Sequence, residues 1–211
     1  MAEIWEWRGV RDLVAAEVIK DDKDAIEFGE VFQIAGLAEL SRTTESSSET
    51  KYYDNVPALV IDSTGADTVT CSVSGIDLKV LAKLTGQVYD EELGVLVEGE
   101  RDAKYFALGY VTSKTNGADV YVWRYKGKFN LPDSSHSTKT AGTESNGQEL
   151  TYTGISTTHK FTKTNKPAKA INVELDKALA DVSTFFDNVT TIDTLTAVST
   201  DPDPVDPDTG D

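Results

Sequence analysis

The alternation of side-chain types is clearest between Tyr121 and Leu131. Tyr121, Trp123, Tyr125, Phe129 and Leu131 share one parity, and Val120, Val122, Arg124, Lys126 and Lys128 the other. A period of two predicts a β-strand, here with an aromatic face on a core and a basic face turned away from it. Tyr105–Thr112 is apolar and aromatic and predicts its partner strand. Between them, Ser113–Ala118 is a polar turn centred on Asn116-Gly117, a pair that tolerates the positive φ angles of a type I′ hairpin. Pro132 has no N–H for a ladder and ends the strand.

The rest of the chain reads as further strands with two helices. Residues 1–27 are mixed, with an apolar opening at Ile4, Trp5, Trp7 and Val10 and a charged turn at Lys20–Asp24. Phe28–Leu40 predicts a strand covered on both faces, and Val56–Asp62 a returning strand. The polar run Ser41–Asp54 between them predicts a loop or a long hairpin tip. Asp67–Ser74 alternates with Val69, Cys71 and Val73 inward. Asp77–Thr85, with Gly86 at its end, predicts a short helix with Leu78, Leu81 and Leu84 on one face. Tyr89–Glu100 holds Leu93, Val95, Leu96 and Val97 between acidic flanks. Asp133–Gln148 is a second polar loop, and Leu150–Phe161 a threonine-rich strand. Glu174–Phe186 shows the i, i+3, i+4, i+7 stripe of an amphipathic helix, with Asn172 as its cap. The fold class expected is mainly β: a sandwich or small barrel of two antiparallel sheets with a flanking α-helix.

Composition narrows this picture. With 211 residues, 39% of them hydrophobic, the chain is long enough for one globular domain with a tail. The expected division is a domain over residues 1–190 and an acidic tail over 191–211, ending in DPDPVDPDTGD. The net charge of −16 opposes binding to nucleic acid through the overall field. One cysteine permits no internal disulfide. Met1–Ile4 shows no basic n-region, and no apolar run approaches ~18 residues, so neither a signal peptide nor a transmembrane helix is expected. The Asn188-Val189-Thr190 sequon is then silent.

Candidate chemistry is sparse. Cys71 lies on the apolar face of its strand and reads as core. His136 sits beside Asp133, Ser134 and Ser135 without a nucleophile elbow, and His159 has no cysteine near it for zinc. Gly94–Gly99 lacks the Lys-Ser/Thr of a phosphate loop. The carboxylates of Lys20–Asp24 are adjacent and have no distant ligand to complete a cation site. No catalytic constellation, metal site or cofactor is expected, and the residues by themselves point to a structural or binding module.

Several motifs carry a family resemblance. In order they are Gly9-Val10-Arg11-Asp12-Leu13, Ile34-Ala35-Gly36, the loop at 41–54, Gly75–Gly86, Gly94–Val97 and Tyr121–Pro132. Over residues 9 to about 162 this order resembles the phi13-type major tail proteins of long-tailed bacteriophages. The terminal helix and acidic tail depart from it. The resemblance implies a non-enzymatic virion protein of tail tube fold, assembled in the bacterial host cytoplasm. It implies hexameric rings stacked into a tube, with tape-measure, terminator and distal tail proteins as partners and no membrane. Phage DNA would pass through the lumen without specific binding, since an acidic wall repels phosphates. Contacts between subunits and rings are expected at Arg42, Thr43, Glu45, Glu49, Lys51, Tyr52 and Tyr53, and at Arg124, Lys126 and Lys128 facing acidic neighbours. The loop at 133–148 is a further candidate. The rival readings are a carbohydrate-binding β-sandwich using Trp5, Trp7, Tyr52 and Tyr53, and the tube of a DNA-free tail-like particle.

Overall fold

A computed structural model describes residues 3–134, 146–177 and 179–198. Ten strands and one helix follow in the order β1 (Trp7–Asp21), β2 (Ile26–Gln33), β3 (Leu37–Tyr53), β4 (Val56–Val73), α1 (Leu78–Thr85), β5 (Val88–Asp90), β6 (Val95–Val97), β7 (Phe106–Lys114), β8 (Asp119–Phe129), β9 (Gln148–Ile155) and β10 (Ala170–Glu174). The large sheet runs β2-β1-β7-β8-β9-β4-β3, with β10 also on β8, and β5–β6 form a second sheet. Every strand pair is antiparallel. The fold is mainly β with two antiparallel sheets and one short helix, in line with the sandwich and flanking helix predicted from sequence.

The large sheet curls on itself. Ile34 N–H donates to Leu13 at 3.0 Å and Ser74 N–H to Gly36 at 2.8 Å, which brings the start of β3 back toward β1. The concave side encloses Leu13, Phe106, Leu108, Val122, Leu150, Tyr152, Val69 and Cys71 in one core. Cys71 is buried there, and burial pushes its thiol up to about 12, far from nucleophilic use. The convex side carries a second core of Ala16, Ala107, Trp123, Tyr125, Phe161 and Phe185. The prediction of a sheet with only one packed face is therefore corrected.

β8 serves both cores through a register change. Leu108 pairs with Arg124 but Phe106 pairs with Gly127, so β8 carries one extra residue between these points. Before the bulge Val120 and Val122 enter the first core, and after it Phe129 does, although its parity is opposite. Strict alternation placed Phe129 with Tyr125; the bulge separates them.

Three further differences have local causes. The mixed opening of the chain is the long strand β1, whose Leu13 and Ala15 face one core and Val14 and Ala16 the other. The Asn116-Gly117 turn is not type I′: only Gly117 has positive φ, at 90°. Gly117 N–H donates to Lys114 and Lys114 N–H to Ala118, a three-residue loop with the glycine in the αL position. The two-residue turn with both φ angles positive is at Asp54–Asn55, between β3 and β4.

The terminal helix predicted over 174–186 does not form. Glu174 ends β10, Leu175–Lys177 makes a single 3-10 turn, and turns follow. Asn172 pairs with Val122 in the ladder instead of capping a helix. Phe185 and Phe186 both meet Tyr121, with ring centroids 5.4 and 5.7 Å away, which brings two consecutive residues onto one sheet face. Trp123 Nε1 donates to the Phe185 carbonyl at 2.9 Å. Asp181 and Thr191 bond nearby backbone N–H groups, stabilising turns against helix. Ile192 and Leu195 pack on the second core, so the boundary expected at 190/191 falls inside packed chain. The flanking helix is thus α1.

α1 ends at its predicted glycine, and Asp77 is its N-cap. The Asp77 carboxylate accepts the Lys79 N–H at 2.8 Å, and Gly86 closes the helix at φ 74°. A Cβ on Gly86 would lie 2.1 Å from the Asp102 carbonyl oxygen. Gly86→Ala is expected to destabilise the subunit by more than about 1 kcal/mol, measured as a lowered urea midpoint with unchanged slope.

Candidate assembly surface

β3 and β4 pair from Leu37↔Val73 to Tyr53↔Val56, while β9 accompanies β4 only from Val73 to Asp67. Beyond Asp67 the two strands leave the sheet as a free arm. From Asp67 to Val56, at about 3.3 Å per residue, the arm projects roughly 35 Å. What the polar pattern of Ser41–Asp54 offered as a loop or a hairpin tip is the outer part of β3, which runs from the sheet into the arm with register shifts at Thr44/Ser46 and Lys51/Tyr52 and ends in the turn at Asp54.

The arm gathers most of the candidate contact residues. Tyr52 and Tyr53, each 65% exposed, stand beside the turn at its tip. Glu49 and Lys51 form an ion pair on its surface, and Glu45 lies opposite Gly65. Thr43 pairs with Thr68 at the base. Arg42, also at the base, donates to the Thr44 hydroxyl at 3.1 Å. The polar pattern missed Val56, Leu59, Val60 and Ile61, all exposed on the other arm strand, with Ile61 least so at 47%. Neighbouring residues in a strand point to opposite faces, so both faces of this strand offer apolar side chains to solvent. The consecutive apolar run was the available signal; its lack of alternation fits burial on both sides.

The three basic residues of β8 part company. Arg124 is 4% exposed, and its Nη1 donates to Asp67 at 2.6 Å while Nε donates to the Tyr110 hydroxyl at 3.3 Å. It is therefore a core residue, which corrects its placement on an open basic face. Lys126, within the bulge, donates to Asp21 at 2.6 Å. Lys128 lies over the Tyr105 ring, 4.6 Å from its centroid. Both are half-buried, and Lys126 has its acidic partner within the same chain.

Asp67 joins the arm to the body. Besides Arg124, Lys169 Nζ lies 3.2 Å away and Arg42 Nη1 3.9 Å. Burial would raise its carboxyl, but the Thr44 hydroxyl, Lys169 and the Arg124 charge outweigh this and hold it below the usual range. A cleft of about 820 Å³ opens over this cluster, with Trp7, Val10, Leu40, Val122 and Asn172 in its walls. Asp21 is a second anchor. Its carboxylate accepts from Lys126 and from the N–H groups of Thr158 and His159 at 2.8–3.0 Å. Burial opposes its ionised form, yet these donors keep its pKa low. That leaves the His159 backbone tied to Asp21 in a turn, while His136 and most of the 133–148 loop lie outside the described residues. Among the described residues no cluster of three or more His, Cys, Asp or Glu could hold a metal, and no helix is long and apolar enough to cross a membrane.

The β5–β6 hairpin has the same inverted character as the arm. Tyr89 and Leu96 are half-buried, while Val88, Leu93, Val95 and Val97 are exposed.

The family described as phage tail tube protein matches residues 35–196 of the chain. The match includes the whole arm and continues past residue 162, about where the motif order in the sequence ran out. No curated protein matches the chain.

Two predictions follow from the anchors. Arg124→Met leaves Asp67 with only its weaker partners and should lower subunit stability by about 3–5 kcal/mol, the usual cost of breaking a buried pair. Urea unfolding of the purified variant measures it. For Asp21 and Asp67 the folded pKa lies below the unfolded one, so their contribution is present above about pH 4. It is lost as pH falls through the lower folded values. Asp21→Asn should therefore lower stability at pH 7 and flatten its decline below about pH 4, as followed by thermal melts across that range.

Proposed function

The chain belongs to the phage tail tube protein family, and from that premise we propose that it is a major tail protein of the phi13 type. Copies form hexameric rings, and rings stack into the tube that conducts phage DNA. The protein is assembled in the host cytoplasm and works in the virion tail, with tape-measure, terminator and distal tail proteins at the tube's ends.

One observation carries this reading: the arm exposes Val56, Leu59, Val60 and Ile61 far from either core. An isolated chain gains nothing from this surface, whereas a stacked one buries it. The arm is long enough to reach a subunit of the next ring, with Tyr52 and Tyr53 as anchors at its tip. Within a ring, the free edges of β2 and β3 would pair with neighbouring sheets and leave no open ladder. Arg42, Thr43, Glu45, Glu49 and Lys51 supply polar contacts around the apolar anchors, and Lys126 and Lys128 act at the opposite end of β8. Arg124 acts indirectly, by holding the arm's base through Asp67. The net charge of −16 supports a lumen that repels phosphate, so that DNA slides without sticking.

The test separates assembly from folding. Leu59→Asp with Ile61→Asp changes only exposed side chains and should leave monomer stability within about 0.5 kcal/mol. The same double variant should abolish tubes, seen by negative-stain electron microscopy of concentrated protein with tail initiator proteins. Normal tubes from this variant would remove the arm from the ring contact. Persistent monomers of the unaltered chain under the same conditions would overturn the tube itself.

A further inference from the structure

The segment between β9 and β10 concentrates positive charge on an acidic chain. Lys160, Lys163 and Lys166 are all exposed, and none makes an ion pair among the described residues. The loop that holds them is well fixed. Phe161 is buried in the second core, and its N–H donates to the Lys166 carbonyl at 3.1 Å. Asn165 N–H returns to the Phe161 carbonyl at 2.8 Å. The Asp193 carboxylate accepts the N–H groups of Thr162 and Lys163 at 2.7 and 2.8 Å. The ionised Asp193 offsets one of the three ammonium charges, chiefly that of Lys163, and the loop keeps a net positive charge.

The end of the packed chain passes against this loop. Lys163 Nζ donates to the Leu195 carbonyl at 3.0 Å. Val198 N–H is then bonded to the Leu179 carbonyl, and the thirteen residues 199–211 follow. They contain Asp201, Asp203, Asp206, Asp208 and Asp211 and no basic residue. Asp201 lies six residues beyond Leu195, which at ~3.3–3.6 Å per residue keeps its backbone within about 27 Å of the Lys163 ammonium in any conformation. A tether this short sets an effective concentration of about the millimolar order, enough to make weak surface ion pairs add up.

We propose that the acidic terminal segment, residues 199–211, docks on the Lys160/Lys163/Lys166 loop of its own chain. The aspartates supply counter-charges to lysines that make no ion pair among the described residues. The association is electrostatic and exposed, so salt dissolves it.

Pulsed acylation of lysines, read by mass spectrometry, tests this on the intact chain and on a chain ending at residue 198. In dilute salt, Lys160 and Lys166 should react roughly threefold to tenfold more slowly in the intact chain. At 1 M salt, where the Debye length is about 3 Å, the two chains should react alike. A full-length chain with all five aspartates changed to Asn should behave like the truncated one. Circular dichroism melts of the three proteins show whether the body is equally folded. Equal rates for intact and truncated chains in dilute salt would overturn the proposal. Protection that rises with protein concentration would overturn it too, because the segment would then occupy a neighbouring copy.

Discussion

β8 sends side chains into two separate cores, and the extra residue between Arg124 and Gly127 is what allows it. A strand of fixed parity can offer one residue set to each face. The bulge changes the sets midway, so Val120, Val122 and Phe129 close the concave core while Trp123 and Tyr125 support the convex one. It also divides the strand's other edge. Val120–Arg124 pairs with β10, and Lys126–Phe129 with β9. The chain's return through residues 175–198 can then cover the convex face, because the aromatic residues it covers are already held in register.

The same strand turns a buried charge into a structural link. Arg124 precedes the bulge and so points into the concave side, where Asp67 ends the shared part of β4. Two charges at that depth are costly to desolvate, and a pair of apolar side chains could fill the space. What an apolar pair would not supply is direction. The ion cluster joins β8, the segment entering β10, and both arm strands at one point. Lys114 makes a comparable clamp at the other end of β7, bonding Glu174 and Asp176 beneath the Trp5 ring. Both clusters fix the orientation of segments that leave the sheet, and orientation is what a subunit of an extended assembly needs from its core.

The arm takes its stability from the body and spends its side chains elsewhere. Its ladder continues that of β3–β4, and its Asp54–Asn55 turn suits the twist of a two-stranded ribbon. A free hairpin of this length would be marginal in water. Anchored at Asp67, it can hold apolar residues outward without their contributing to the subunit's own fold. The β5–β6 hairpin repeats this arrangement over α1, locked at its base where Gly86 meets Asp102.

Sequence alone determined what depends on near neighbours: the alternation of β8 before its bulge and of Val69–Val73, the glycine that ends α1, and the mainly β class. These are local, because a strand's parity or a helix's last glycine is decided within a few residues. Tertiary structure decided the rest. An apolar stripe at Leu175–Phe186 fits a helix in isolation, but stacking of Phe185 and Phe186 on Tyr121 competes with it and prevails. Arg124 and Lys126 look alike in the sequence, yet an inserted residue turns one to Asp67 in the concave core and the other to Asp21 on the opposite side of the sheet. A serine-rich run resembles a loop until a partner strand pairs with it. In the first two cases the deciding contact lies tens of residues away along the chain, and in the third it lies across a hairpin, beyond the reach of the segment's own pattern.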